Sequence, residues 1–103
     1  MDIQKITAAL ANKTRYQILQ WLLQPEEHFS PHVEVEGFGM GVCVGKIHDK
    51  TGLSQSTTSH YLSILQNVDL VIPTRIGKWT YYKSNTLLLK EYLETLKSQL
   101  ADV

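Results

Sequence analysis

The sequence predicts a single, mostly helical domain with one small β-hairpin, in the order helix, helix, helix, helix, hairpin, helix (α-α-α-α-β-β-α). Three observations predict it. Apolar residues recur at helical spacing near both ends and in the middle of the chain. Gly52 separates two short helical stretches. Ile76-Gly77-Lys78 then stands between two runs rich in β-formers, as the tip of a hairpin does. At 103 residues, 43% of them hydrophobic, there is room for one domain with a real core, residues 1–103.

Ile3, Ile6 and Leu10 give the first helix its stripe. Asn12 suits the N-cap of the second, expected to reach about Gln24 through Ile18, Leu19, Leu22 and Leu23 and to stop at Pro25. Residues 25–41 hold two prolines and three glycines and read as a long loop, although His32–Glu36 alternates enough to allow a short strand. Loops of that length in compact domains are usually functional or mobile. Val42–Val44 reads as a brief strand or as the entry to a third helix over about Val44–Thr51. Gly52 fits that helix's C-cap, and Ser54 is a strong N-cap for a fourth helix reaching about Asn67. Thr58, Leu62 and Leu65 form its inward stripe, which leaves Ser56, Ser59, His60 and Ser63 on the open face. Leu70–Arg75 and Trp79–Lys83 read as the hairpin strands, with Pro73 placing the first at an edge or bulge. Asn85 caps a last helix whose stripe is Leu89, Leu93, Leu96 and Leu100, flanked by Tyr92.

Net charge is zero, but it is unevenly spread. Residues 1–41 sum to −2, and residues 85–103 to −1. Residues 42–84 carry Lys46, Lys50, Arg75, Lys78 and Lys83 against Asp49 and Asp69, for +3. A basic middle segment is where a nucleic-acid face would lie. No apolar run approaches the roughly 20 residues of a membrane span, and no secretory signal pattern opens the chain. A cytoplasmic protein is expected, in agreement with a lone cysteine, Cys43, which has no partner for a disulfide within the chain. No glycine-rich phosphate loop, Ser/His/Asp set or paired carboxylates stand out, so an enzyme is not expected.

Two short helices joined by a glycine turn, followed by a small basic hairpin, define a winged helix-turn-helix. In that motif the second helix enters the major groove of double-stranded DNA with its first residues toward base edges. Ser54, Gln55, Ser56, Thr57, Ser59 and His60 supply small donors and acceptors for that task. A glutamine can bond adenine through two hydrogen bonds, worth roughly 1–3 kcal/mol of discrimination. A serine-rich helix start alone is usually just a well-solvated cap. Its place between a glycine turn and a basic hairpin makes it specific.

Three stretches carry a family resemblance: Ala8-Ala9-Leu10-Ala11-Asn12-Lys13-Thr14-Arg15-Tyr16-Gln17-Ile18-Leu19; Gly52 through Leu62; and Arg75-Ile76-Gly77-Lys78-Trp79-Thr80-Tyr81-Tyr82. Together they resemble the ArsR/SmtB family of bacterial repressors over nearly the whole chain except 25–41. The resemblance implies a homodimer made by the first and last helices. It implies binding to an imperfect inverted repeat, with release by an effector. Gln55, Ser56, Thr57, Ser59 and His60 would then face bases, while Arg75 and Lys78 would hold phosphate or reach the minor groove. Arg15 could touch phosphate or brace the fold. Trp79, Tyr81 and Tyr82 are read as packing aromatics rather than base-stacking ones.

Metal sensors of that family carry Cys-Val-Cys at the start of the third helix, where this chain has Cys43-Val44-Gly45. A second family site uses histidine on the last helix, and residues 85–103 contain none. No metal or cofactor is therefore assigned. Cys43 has two readings, a small apolar filler and a redox-sensitive thiol at a helix start; the filler ranks first. His28 and His32, with Glu26, Glu27, Glu34 and Glu36, could join Cys43 around a metal only if helical, and Pro31 opposes that. Phe29, Phe38 and Met40 give the loop apolar content beyond a linker's need, which suggests that it folds over the dimer or a ligand pocket and contributes to induction by a small-molecule or redox effector. The rival readings are a winged helix without an effector and one used for protein contact.

Overall fold

The computed structural model describes every residue except Glu34 and Asp102. Helices α1 (Ile3–Leu10) and α2 (Lys13–Leu23) come first, then a four-residue helix α3 (Pro25–His28). Strand β1 (Val42–Cys43) and helix α4 (Val44–Thr51) follow, then α5 (Gln55–Asn67), β2 (Val71–Ile76), β3 (Trp79–Ser84) and α6 (Thr86–Leu100). The expected order holds, with additions around the long loop. Pro25 does end α2, but it also opens α3, where its missing N–H costs nothing. Both readings of Val42–Val44 apply in turn, a two-residue strand and then a helix. The strand allowed at His32–Glu36 does not form among the described residues.

Local signals placed the helix ends. Asn12, Ser54 and Asn85 each accept a backbone N–H three residues on, from Arg15, Thr57 and Leu88. The sheet order is β1-β3-β2, all antiparallel, so β2 is an edge strand and tolerates Pro73. Only Gly77 of the two turn residues has positive φ, at 60°, which is the φ pattern of a type II′ hairpin turn. Where the loop rejoins the sheet, Gly41 has φ 107° and sits so close to β3 that a Cβ there would lie 2.1 Å from the Tyr82 carbonyl oxygen.

The core gathers Ile6, Ile18, Leu22, Ile47, Leu62, Leu65 and Leu70, with the Tyr81 ring beneath the sheet. Two stripes differ from expectation. In α2 it is Trp21 that is buried and Leu23 that is exposed, because Trp21 meets the Phe29 ring edge-on at 6.3 Å as the chain turns into α3. In α6 Tyr92 is the buried residue, its hydroxyl 2.7 Å from Thr7 Oγ1 of α1. Leu93 and Leu100 are 61% and 68% exposed, because the chain's own core reaches only one side of this helix.

Candidate nucleic-acid interface

The site begins at the turn between α4 and α5. Gly52 takes the left-handed conformation (φ 69°), and the chain reaches the Ser54 cap after one further residue. The two helices are locked across this turn by hydroxyls. Thr51 Oγ1 donates to the His48 carbonyl at 2.8 Å and accepts the Leu53 N–H at 3.2 Å. Thr58 Oγ1 lies 3.0 Å away and, with the Thr51 hydrogen already committed, acts as the donor between them. Thr58 is 1% exposed, so this bond is shielded from water. Thr51 carries no signal in the sequence beyond being polar near a helix end, and the sequence reading missed it.

Opposite the buried stripe of Thr58, Leu62 and Leu65, α5 presents Gln55, Ser56, Ser59, His60 and Ser63 to solvent. Among the described residues, no hydrogen bond engages the side chains of Gln55, Ser59 or His60. Ser54 differs, because its hydroxyl caps the helix and donates to Thr57 Oγ1 at 2.8 Å. Thr57 is correspondingly half-buried. The eight residues named from sequence therefore divide into an uncommitted face (Gln55, Ser59, His60), an exposed Ser56 whose hydroxyl lies 3.3 Å from Ser54 Oγ, a cap pair (Ser54, Thr57) and the wing (Arg75, Lys78).

On the wing, Arg75 and Lys78 are exposed. Arg75 Nε donates to the Gly77 carbonyl at 3.2 Å, and Lys78 Nζ stands 5.2 Å over the Trp79 ring. Both contacts leave cationic atoms facing outward. Tyr81 is fully buried and Tyr82 half-buried, as packing aromatics should be, and burial raises the Tyr82 phenol pKa. Trp79 is the exposed aromatic of the three.

Arg15 braces the fold. Its Nε donates to the Ala9 carbonyl at 2.7 Å and its Nη2 to the Ala8 carbonyl at 3.2 Å, while the guanidinium lies 5.4 Å over the Tyr61 ring. It thereby satisfies the open end of α1 and ties it to α5.

The loop residues separate. His28 lines a depression of about 300 Å³ with Ser30, Lys46 and Lys50, whereas His32 packs on the sheet beside Cys43. Among the described residues no three His, Cys, Asp or Glu side chains converge as a metal site would need; Glu34 lies outside them. Phe38 lies edge-on to His32 and Phe29 edge-on to Trp21, while Val33 of the same loop stays exposed. Cys43 is buried at the position preceding α4.

A reading helix with a free polar face, fixed across a glycine turn and followed by a basic wing, defines a winged helix-turn-helix DNA-binding protein. Residues 42–72 match the model of the bacterial regulatory proteins of the arsR family. The chain is 42% identical over 100 residues to the uncharacterized HTH-type transcriptional regulator YbzH of Bacillus subtilis, covering 97% of this chain and 100% of that protein. It is 32% identical to a provisionally named arsenical resistance operon repressor, ArsR2, of Halobacterium salinarum, covering 93% and 71% of the two chains. In three dimensions it is similar to the homodimeric winged helix-turn-helix DNA-binding domain of Mb0332 from Mycobacterium bovis. The TM-score there is 0.66 at 28% identity, over 97% of this chain and 78% of that one. The protein belongs to the ArsR family and is a DNA-binding transcriptional regulator, not an enzyme.

Proposed function

We propose that this protein is a homodimeric repressor that reads an inverted-repeat operator in the cytoplasm and is released by an effector. The observation that carries the reading is the α5 face of Gln55, Ser56, Ser59 and His60, polar, exposed and opposite a buried stripe. Gln55 and His60 supply base contacts, Ser56 and Ser59 adapt to several edges, and Ser54 and Thr57 hold the helix start in shape. Arg75 and Lys78 fasten the wing to phosphate or minor groove.

The dimer is assigned to α1 and α6, with α2 contributing. Leu93 and Leu100 leave an apolar face on α6, and an apolar groove of about 440 Å³ runs between Leu89 and Leu93 of that helix and Leu10, Leu19 and Leu23. A second copy covers that face in this reading. The burial of Cys43 favours its role as a filler beneath α4 over that of a thiol sensor. The loop's part in induction is tested by deleting residues 27–39, which leaves induction unchanged if the loop plays none.

Selection from a randomised duplex pool, followed by salt titration, tests the whole. An inverted repeat is expected, with log K falling at about −0.9 per phosphate contact as log salt rises. Gln55→Ala relaxes preference at one base position, whereas Arg75→Ala weakens all sequences alike. Salt-insensitive binding overturns the assignment in favour of a protein-contact module, and Gln55→Ala with its preference intact removes Gln55 from the base contacts.

A further inference from the structure

Among the described residues of the long loop, one side chain is buried. His32 is 8% exposed, its ring edge-on to Phe38 and Tyr81 with centroids at 4.9 and 5.2 Å. Its Nδ1 lies 3.1 Å from the Gly37 carbonyl, and its Nε2 lies 3.1 Å from the Cys43 backbone nitrogen. A carbonyl only accepts, so Nδ1 carries the hydrogen. A backbone N–H only donates, so Nε2 is bare. The two contacts together select one neutral tautomer.

The place of this contact gives it leverage. Cys43 pairs with Tyr81 of β3 and is the residue preceding α4, whose start has no side-chain cap. The far end of α4 is Thr51, which holds Thr58 of the reading helix. His32 therefore fastens the loop to the strand that delivers α4, and α4 sets α5.

We propose that His32 is a positioning residue for DNA binding, and that charging its imidazole releases the loop and weakens the grip on DNA. The inference rests on the DNA-reading face proposed above. In the protonated ring Nε2 carries a hydrogen, so two donors face each other at the Cys43 amide, inside a site walled by two aromatic rings. Among the described residues, the titratable groups nearest the ring are the Tyr81 phenol on β3, whose ring meets it at 5.2 Å, and the thiol of Cys43, whose backbone N–H it accepts. Glu36, beside Gly37, is exposed, and Lys46 of α4 turns to Ser30 at 2.9 Å. Among the described residues no carboxylate bonds the ring to offset its charge.

The sign separates His32 from an imidazole on the reading face. Positive charge added on the reading face, where His60 lies, favours the phosphate backbone and tightens binding. Protonating His32 opposes that trend. The test compares operator affinity of the full chain with those of His32→Gln and His32→Phe, from about pH 8 to about pH 5.5 at constant salt. Glutamine keeps a donor and an acceptor without titrating, so it should match the wild type at the alkaline end. It should exceed the wild type by about tenfold at the acid end, the effect of one buried hydrogen bond. His32→Phe should be weak throughout. Parallel pH profiles for wild type and His32→Gln overturn the proposal.

A second arm needs no DNA. Imidazole ¹⁵N shifts should report the Nδ1–H tautomer at neutral pH, and Cys43 amide protection should fall on acidification in the wild type but not in His32→Gln. An Nε2–H tautomer, or protection unchanged by acid, overturns the latch whatever the DNA data show. Failure of the wild type to bind DNA at any pH, with the latch signals intact, instead rejects the reading face and with it the DNA half of the proposal.

Discussion

Thr51→Val should destabilise the protein more than Thr58→Val, although the two threonine hydroxyls are bonded to each other. Thr58 Oγ1 has Thr51 as its partner and is shielded from water. Thr51→Val therefore strands a buried hydroxyl, at a cost of about 1–3 kcal/mol. The Leu53 N–H also loses its acceptor, but Leu53 is 38% exposed and water replaces it cheaply. Thr58→Val removes the buried hydroxyl itself and leaves Thr51 its bonds to His48 and Leu53, so the loss is one ordinary bond, about 0.5–1.5 kcal/mol. With both replaced, nothing is stranded, and the double variant should cost less than the two singles summed, by about 1 kcal/mol. Urea unfolding of all four proteins at one fixed concentration gives the cycle, provided the m-values agree. Additivity within about 0.3–0.5 kcal/mol would refute the hydroxyl lock.

Gly41→Ala should cost about 2–4 kcal/mol, because its Cβ would collide with the Tyr82 backbone, whereas Gly39→Ala, with nothing within 4 Å, should stay within about 0.5 kcal/mol; equal midpoints in a thermal melt would contradict this. Tyr82 has its phenol pKa raised from 10.0 by burial, so the unfolded chain ionises first and stability is lost as pH rises through that range. Tyr82→Phe should flatten the alkaline limb of the unfolding midpoint against pH. Arg15→Met should lower stability by about 1.5–3 kcal/mol through its bonds to the α1 carbonyls and leave the salt slope of DNA binding unchanged. A slope smaller by about one would put Arg15 on phosphate instead.

The parts legible in the sequence are those whose physics is local. Asn12, Ser54 and Asn85 each cap an amide three residues away, so the side chain and its target lie in one window of sequence. The α5 stripe follows from helical period, and the wing from a glycine between two β-rich runs. The polar face of α5 was legible for the same reason, since it is the complement of that stripe.

Other features depended on partners far along the chain. His32 could be weighed as a loop residue or a metal ligand, but its fixed tautomer depends on Gly37 and Cys43, and its burial on Tyr81 of another strand. Arg15 was equally suited to phosphate or brace until α1 and α2 packed at an angle that aims it at two carbonyls. The leucines of α6 announced an apolar face without saying what covers it, and folding buries Tyr92 while leaving Leu93 in the open. The sequence by itself determined the helix ends, the reading face and the basic wing, because caps, periodicity and turns act within a few residues. Tertiary structure alone decided which polar groups stay free at the surface and which are consumed in holding the fold, because a hydrogen bond between distant segments exists only once packing has brought them together.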